Sequence, residues 1–320
     1  LQEYNFNGKI YPVNPKGGII EGLQAYTSVL EIPEEVDLAI IVVNAKFVLS
    51  TIDQCHEKGI KGLCIITAGF KETGKEGAEV EKQLLAKVRE YGMRCVGPNC
   101  LGVVNTHEDV RMDGCFAESL PERGNIGFVS QSGALGGGIL NILKDLNLGF
   151  AQFISIGNQA DVNAETALEY WENEEDVEQI LLYMESIQNP ANFRKLASRI
   201  SKKKPILALK AGRSAAGASA ASSHTGSLAG ADKAANALLN QSGVIREYSL
   251  QDLFATAKVF ANCPIPKGDR VAIITNSGGP GIMATDAICE HGMQIAKISD
   301  ATKEKLRSFL PSAASVKNPI

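Results

Sequence analysis

The chain has 320 residues, 44% of them apolar and 21% charged, with 32 basic against 36 acidic side chains and a net charge of −4. At roughly 150 residues per domain this allows about two cores, and the composition excludes a disordered chain and a disulfide-stapled miniprotein. No apolar run reaches the length of a membrane span, and no basic stripe offers itself to nucleic acid or an anionic membrane surface. Seven cysteines, odd in number and without a C-x-x-C pair, read as reduced thiols. The first residues lack a basic segment followed by an apolar one, so a cytoplasmic protein is expected.

Along the chain, Lys9 to Val13 reads as a short strand and Asp37 to Val43 as a buried one; Phe47 to Lys58 has helical spacing. Gly62 to Ile66 is again a strand, Gly77 to Tyr91 a helix with a charged face, and Met93 to Val96 a strand. Val/Ile/Leu strands separated by helices imply a parallel sheet covered on both faces. The chain opens on what reads as the last turn of a helix, so a first strand and its loop are expected before Leu1.

A boundary falls at Leu120-Pro121-Glu122-Arg123-Gly124. Beyond it, strands at Ile126 to Val129, Phe150 to Ser155, Ile180 to Glu185 and Pro205 to Lys210 alternate with helices at Gly133 to Leu143, Asn163 to Trp171 and Asn192 to Ser201. A second boundary lies at Cys263 to Gly268, followed by a strand at Arg270 to Thr275 and a helix at Gly281 to His291. The stretches Ile126 to Leu140 and Val271 to Thr285 resemble each other with a period of 277 − 132 = 145 residues, matching Ser132 with Ser277. Two related α/β domains are expected, the second beginning shortly before the chain stops.

Four patterns bear on chemistry. In Ser130-Gln131-Ser132-Gly133 a buried strand delivers hydroxyls and a glycine to the first turn of a helix, where free N–H groups and the positive dipole end make an anion site. A capped helix with small residues for close packing would read the same way. The repeat at Asn276-Ser277-Gly278-Gly279 strengthens the anion reading.

Between Lys210 and Gly230, 16 of 21 residues are Gly, Ala or Ser, the composition of a linker, yet His224 sits inside it. A loop of small residues carrying one imidazole suits a swinging phosphate carrier, since His can attack near neutral pH and leave again. Glu185 ends an apolar strand where open α/β sheets bind ligands, and its carboxylate could fix the tautomer of an imidazole or simply be solvated. Lastly, Asn14-Pro15-Lys16, Thr67-Ala68-Gly69-Phe70 and Gly97-Pro98-Asn99-Cys100 each follow a strand with N–H groups, an amide or a Lys. Together they could line a nucleotide-like pocket, though any one is an ordinary turn. No phosphate-loop lysine motif, metal-ligand cluster or G-x-G-x-x-G occurs.

Read together, SSHTGSLAG, SQSGALG, YMESI and GPNCLG resemble the ADP-forming acyl-CoA synthetases of the succinyl-CoA synthetase superfamily, in family order and over essentially all 320 residues. The resemblance implies an α/β fold: a Rossmann-like CoA-binding domain (1–120) followed by flavodoxin-like ligase domains with parallel sheets (121–264 and the start of another at 265–320). It implies that His224 becomes phosphorylated and that Glu185 positions it. It further implies that Ser130, Gln131, Ser132 and Gly133, with Asn276, Ser277, Gly278 and Gly279, cradle phosphate. Lys16, Asn44, Phe70, Asn99 and Cys100 fall in the CoA segments, and Asn158 and Asp161 in a loop beside the acyl and phosphate site.

The implied reaction is acyl-CoA, phosphate and ADP to carboxylic acid, ATP and CoA, with acetyl-CoA as the expected thioester. The implied cofactors are CoA, phosphate, and ADP or ATP with Mg on a partner ATP-grasp module, fused or separate; an oligomer is expected. A different class, the CoA-sensing regulatory region of a protein lysine acetyltransferase, tends to lack the carrier histidine that is present here. A plain NAD-dependent oxidoreductase is set aside because the dinucleotide fingerprint is missing.

Overall fold

The computed structural model describes residues 1–117, 120–214, 216–217 and 232–320. The chain divides into two compact units, Leu1–Cys263 and Pro264–Ile320. The larger unit opens on a two-stranded hairpin, β1 (Ile19–Ile20) with β2 (Leu23–Gln24). A three-stranded parallel sheet follows, in the order β3 (Leu38–Ile41), β4 (Gly62–Ile65), β5 (Arg94–Val96). Helices α1 (Ala45–Lys58) and α2 (Lys75–Glu90) cross between these strands. They bury Val48, Ile52, Leu84 and Val88 against Ile41, Leu63 and Ile65, because the apolar positions recur at helical spacing along one face of each. Asn44 caps α1 by accepting from Lys46 N, and Gly59 closes it in the left-handed conformation.

A seven-stranded sheet then forms in the order β12, β11, β10, β8, β9, β6, β7. Its members are β6 (Val103–Asn105), β7 (Met112–Asp113), β8 (Arg123–Ser130), β9 (Phe150–Ser155), β10 (Gln179–Met184), β11 (Ile206–Lys210) and β12 (Ile245–Glu247). The five strands from β8 to β12 are parallel; β6 and β7 are antiparallel additions at one edge. Alternation along β10 explains why Ile180, Leu181, Leu182 and Met184 are all apolar. Ile180 and Leu182 face a core with Trp171, Phe193 and Ile206, while Leu181 faces a second core with Phe128, Phe153 and Phe254. Helices α4 (Ala164–Trp171), α5 (Pro190–Ile200) and α6 (Asp232–Gln241) contribute to the first core; α3 (Gly133–Asp145) and α7 (Leu250–Asn262) contribute to the second. The fold is thus α/β with a mostly parallel central sheet.

Two local expectations change. Lys9 to Val13 forms only an isolated bridge, Val13 with Tyr26, rather than a strand. Strands β6 and β7 lie before residue 120, yet they extend the second sheet through β9 and not the first. Short antiparallel strands carry too few residues for an apolar pattern to announce them.

In the smaller unit, β13 (Arg270–Val271) and β14 (Gln294–Ile295) pair in parallel, flanked by α8 (Gly278–Glu290) and α9 (Asp300–Arg307). The strand expected over Arg270 to Thr275 is cut to Arg270–Val271; beyond it Ile273 O and Thr275 N bond Ile320 in place of β14.

Candidate functional site

The carboxyl end of β8 is built as the sequence suggested. Ser130 is fully buried, and its Oγ donates to Ser132 O at 2.7 Å. Ser132 Oγ accepts from Leu135 N at 3.3 Å, capping α3. The N–H groups of Gly133 and Ala134 precede the point where i to i−4 pairing begins, so they remain for a ligand. In the smaller unit the repeat shares the first of these bonds: Thr275 Oγ1 donates to Ser277 O at 3.1 Å, and Ser277 opens α8 without a side-chain cap. Ser130 and Ser132 are thereby committed to shaping the turn, and backbone N–H groups face outward. Asn276, Gly278 and Gly279 lie at the start of α8.

Beside this turn, β10 ends at Met184 and delivers Glu185, 6% exposed, and Ser186, 8% exposed. Gln131 crosses to them. Its Oε1 accepts from the N–H groups of both Glu185 and Ser186, and its Nε2 donates to Ser186 Oγ at 3.3 Å. Gln159 Nε2 reaches the same hydroxyl, also at 3.3 Å. Lys210 ends the adjacent strand in register with Met184 and is buried, its Nζ donating to Ala211 O. Burial pulls its ammonium below the usual lysine range. A buried cation therefore sits one strand from Glu185; Lys210 was missed, although it ends the apolar strand Ile206–Lys210 much as Glu185 follows Gln179–Met184. His224 lies outside the described residues.

The other side of the site is the segment Gly97 to Gly102, which docks on the loop after β9. Asn158 N donates to Pro98 O at 2.9 Å, Ala160 N to Gly97 O at 3.1 Å, and Leu101 N to Ser155 Oγ at 2.9 Å. The approach is so close that a Cβ on Gly157 would lie 2.3 Å from Asn99 O, at a backbone φ of +49°. Gly157→Val is therefore expected to cost at least ~2 kcal/mol of stability, measured by urea unfolding.

Asn158 then joins this ridge to the loop after β4. Its Nδ2 donates to Glu72 Oε2 at 2.6 Å and Glu81 Oε2 at 2.7 Å, and its Oδ1 accepts from Asn99 Nδ2 at 3.2 Å. Lys71 Nζ donates to Asn158 O and stands 3.4 Å from Glu81, offsetting two carboxylates that share one amide. Asp161 accepts from Arg94 Nε at 2.8 Å and from Cys95 N at 3.0 Å, anchoring the same loop to β5. Both loop residues singled out from the sequence thus make structural contacts with their side chains. Lys71, Glu72 and Glu81 were missed, because charges on a helix or turn ordinarily face water.

Burial opposes the charge on Glu72, but bonds from Asn158, Gly69 N and Phe70 N outweigh it and hold the carboxyl below its usual range. A lowered folded pKa contributes stability that is complete above the ordinary carboxylate range and lost as pH falls through the lowered value. The stability gap between the native protein and Glu72→Gln, read by urea unfolding, is expected at pH 7 and to shrink below about pH 4.

The remaining CoA-segment residues divide in two. Lys16 and Asn44 are exposed on loops, Asn44 just beyond β3. Phe70 is fully buried among Val48, Ile52 and Leu84, and Cys100 is 4% exposed. Cys100 Sγ donates to Ile65 O at 3.3 Å and lies 3.9 Å from Cys64 Sγ. The Cys64–Cys100 contact and then burial push the Cys64 thiol well above its ordinary range, and burial takes Cys95 up to about 12. Both Phe70 and Cys100 are packed inside the fold. What their segments offer a ligand is backbone. Among the described residues no three His, Cys, Asp or Glu side chains converge as a metal site, and no helix is long and apolar enough to cross a membrane.

Two family models match this chain: a CoA binding domain over residues 1–106 and a succinyl-CoA ligase like flavodoxin domain over 123–260. The alpha subunit of acetate–CoA ligase (ADP-forming) II from Pyrococcus furiosus is 48% identical over 320 residues, covering 100% of this chain and 69% of that protein. The chain belongs to the ADP-forming acyl-CoA synthetases. The acetate–CoA ligase (ADP-forming) of Methanocaldococcus jannaschii is 42% identical to this synthetase chain, which spans 44% of that longer protein. Among solved structures, the dinucleotide-forming acetyl-coenzyme A synthetase 1 of Ca. Korarchaeum cryptofilum, in complex with phosphate and ADP, matches with a TM-score of 0.94 and 37% identity. That match covers 100% of the synthetase chain and 68% of the solved one. The ADP-forming synthetase family named from the motifs and the α/β fold it implied both stand.

Proposed function

We propose that this chain carries the thioester and phosphohistidine half of an ADP-forming acyl-CoA synthetase, with acetyl-CoA as the thioester. The observation that carries the reading is the docking of the Gly97 to Gly102 segment on the loop at Gly157 and Asn158, beside the carboxyl ends of β8 and β10. A thioester held on the CoA segments and an anion at the start of α3 then meet at the carboxyl end of one sheet. Phosphate oxygen attacks the thioester carbonyl carbon, the C–S bond breaks, and CoA leaves as thiolate with an acyl phosphate remaining. The N–H groups at the start of α3 hold the phosphate, so charge is balanced without a positive side chain at the anion.

A ring nitrogen of His224 then attacks phosphorus and the bond to the acyl oxygen breaks, giving carboxylate and phosphohistidine. Glu185 stabilises the imidazolium character of that step by accepting the other ring N–H. Phosphohistidine passes its phosphoryl group to ADP on a partner ATP-grasp module, where Mg accompanies the nucleotide. A cytoplasmic enzyme fits the reduced thiols. Relatives bearing ligase names over the full chain favour this reading over the acetyltransferase-sensor alternative. It is tested by combining the protein with its nucleotide-binding partner and measuring ATP from acetyl-CoA, phosphate and ADP. Turnover supports it, and CoA binding without ATP formation would point to the sensor.

A further inference from the structure

Gln131 stands between Ser130 and Ser132 in the anion-site motif, yet its side chain turns the other way. The residue is 4% exposed. Its own N–H donates to Tyr183 O at 3.1 Å, continuing the pairing of β8 with β10. Beyond Met184 the chain leaves β10, so the N–H groups of Glu185 and Ser186 have lost ladder partners in a buried place. Buried N–H groups need acceptors, and the single oxygen of Gln131 serves both. Two donors on Oε1 also settle which way the amide faces. Nε2 is thereby aimed at Ser186 Oγ, which receives Gln159 as well, while Gln188 Nε2 donates to Gln159 O at 3.0 Å. Three glutamine amides thus brace the short turn from which Glu185 projects.

We propose that Gln131 is a positioning residue that acts through Glu185, holding the backbone from which that carboxylate reaches the phosphoryl carrier, and is not itself a phosphate ligand. The inference rests on the reading in which Glu185 partners His224. Three of the four hydrogen-bonding positions of this amide are spent on the turn, and only one Nε2–H is left over, so the side chain is placed by the turn rather than by an anion. A carboxylate that drifts by about 1 Å from its productive place loses on the order of a hundredfold in rate.

The test uses the complete protein with its nucleotide-binding partner, following ATP formation with inorganic phosphate varied. Gln131→Met keeps length and removes the acceptor; kcat should fall by roughly tenfold to a hundredfold, with phosphate KM within about twofold of native. Gln131→Glu keeps an oxygen for both N–H groups and should recover most of kcat at the native phosphate KM. A phosphate KM raised tenfold or more in the Glu variant, where a carboxylate would repel the anion, overturns the proposal, as does native kcat in the Met variant.

Amide hydrogen exchange reads the same clamp without turnover. Exchange at Glu185 and Ser186 should speed up in the Met variant and stay near native in the Glu variant; equal rates in all three proteins overturn the clamp. A native protein that makes no ATP would instead overturn the reading of the reaction, so the two failures are told apart. If circular dichroism shows the Met variant unfolded, the phosphate KM and the exchange rates of the Glu variant decide alone.

Discussion

Replacing His224 by Asn is expected to lower ATP formation from acyl-CoA, phosphate and ADP by roughly 10⁴-fold or more, and to abolish labelling of the chain by an acyl phosphate. Asn preserves a hydrogen-bonding side chain of similar length but has no lone pair that can take and return a phosphoryl group. In the proposed mechanism two half-reactions meet at this one atom, and loss of a covalent carrier could not be made up by binding, so the expected effect is large. His224 is one of four histidines, and it sits in a stretch where 16 of the 21 residues from Lys210 to Gly230 are Gly, Ala or Ser. The label itself is diagnostic: a phosphoramidate is lost in acid and kept in base, the reverse of a phosphoserine. Labelled protein is digested and the phosphate located by mass spectrometry under alkaline conditions. An Asn variant that still makes ATP at the native rate, or a label on a serine, would overturn the carrier role.

The second large effect is expected at Glu185. Glu185→Gln should slow phosphohistidine formation by roughly a hundredfold, the value of one positioned acid–base partner. The residue is 6% exposed at the end of β10, where a carboxylate is retained only if something compensates it. The buried Lys210 ammonium one strand away contributes to that compensation, and in the proposed mechanism the carboxylate also stabilises a transient imidazolium at the moment of phosphoryl transfer. Gln has the same size and still accepts from a ring N–H, so the turn held by Gln131 should keep its shape while the charge is gone. Rapid-quench measurement of label transfer from an acyl phosphate separates this step from the later transfer to ADP. A rate within about threefold of native would leave Glu185 with no role in the transfer. If acyl-phosphate formation from the thioester falls equally, the carboxylate acts on the earlier step instead.

These two residues were visible because each broke a local pattern. Glu185 interrupts an apolar run, and His224 interrupts a small-residue stretch. The strands were legible for a related reason. Residues such as Gln179 to Met184 must satisfy two cores at once, so nearly every position is apolar. Where that demand fails, the reading fails with it. Lys9 to Val13 is apolar enough to look like a strand but meets a partner at one residue only, and β6 and β7 are too short to show an alternation.

By itself, then, the sequence determined the α/β alternation, the family and the order of its motifs, because strand burial and helix starts act through residues close together in the chain. Only the tertiary structure decided where the polar side chains of those motifs point. Gln131 and Ser186 are 55 residues apart, and Asn158 and Glu72 are 86 apart. An amide in a turn has no preferred partner until strands from distant segments are laid side by side. Asn158 and Asp161 therefore brace their loop with their side chains, and Phe70 and Cys100 pack in the core. The physical reason is that hydrogen-bond need is written in residue type, whereas the partner that meets it is chosen by which strand ends the sheet brings together.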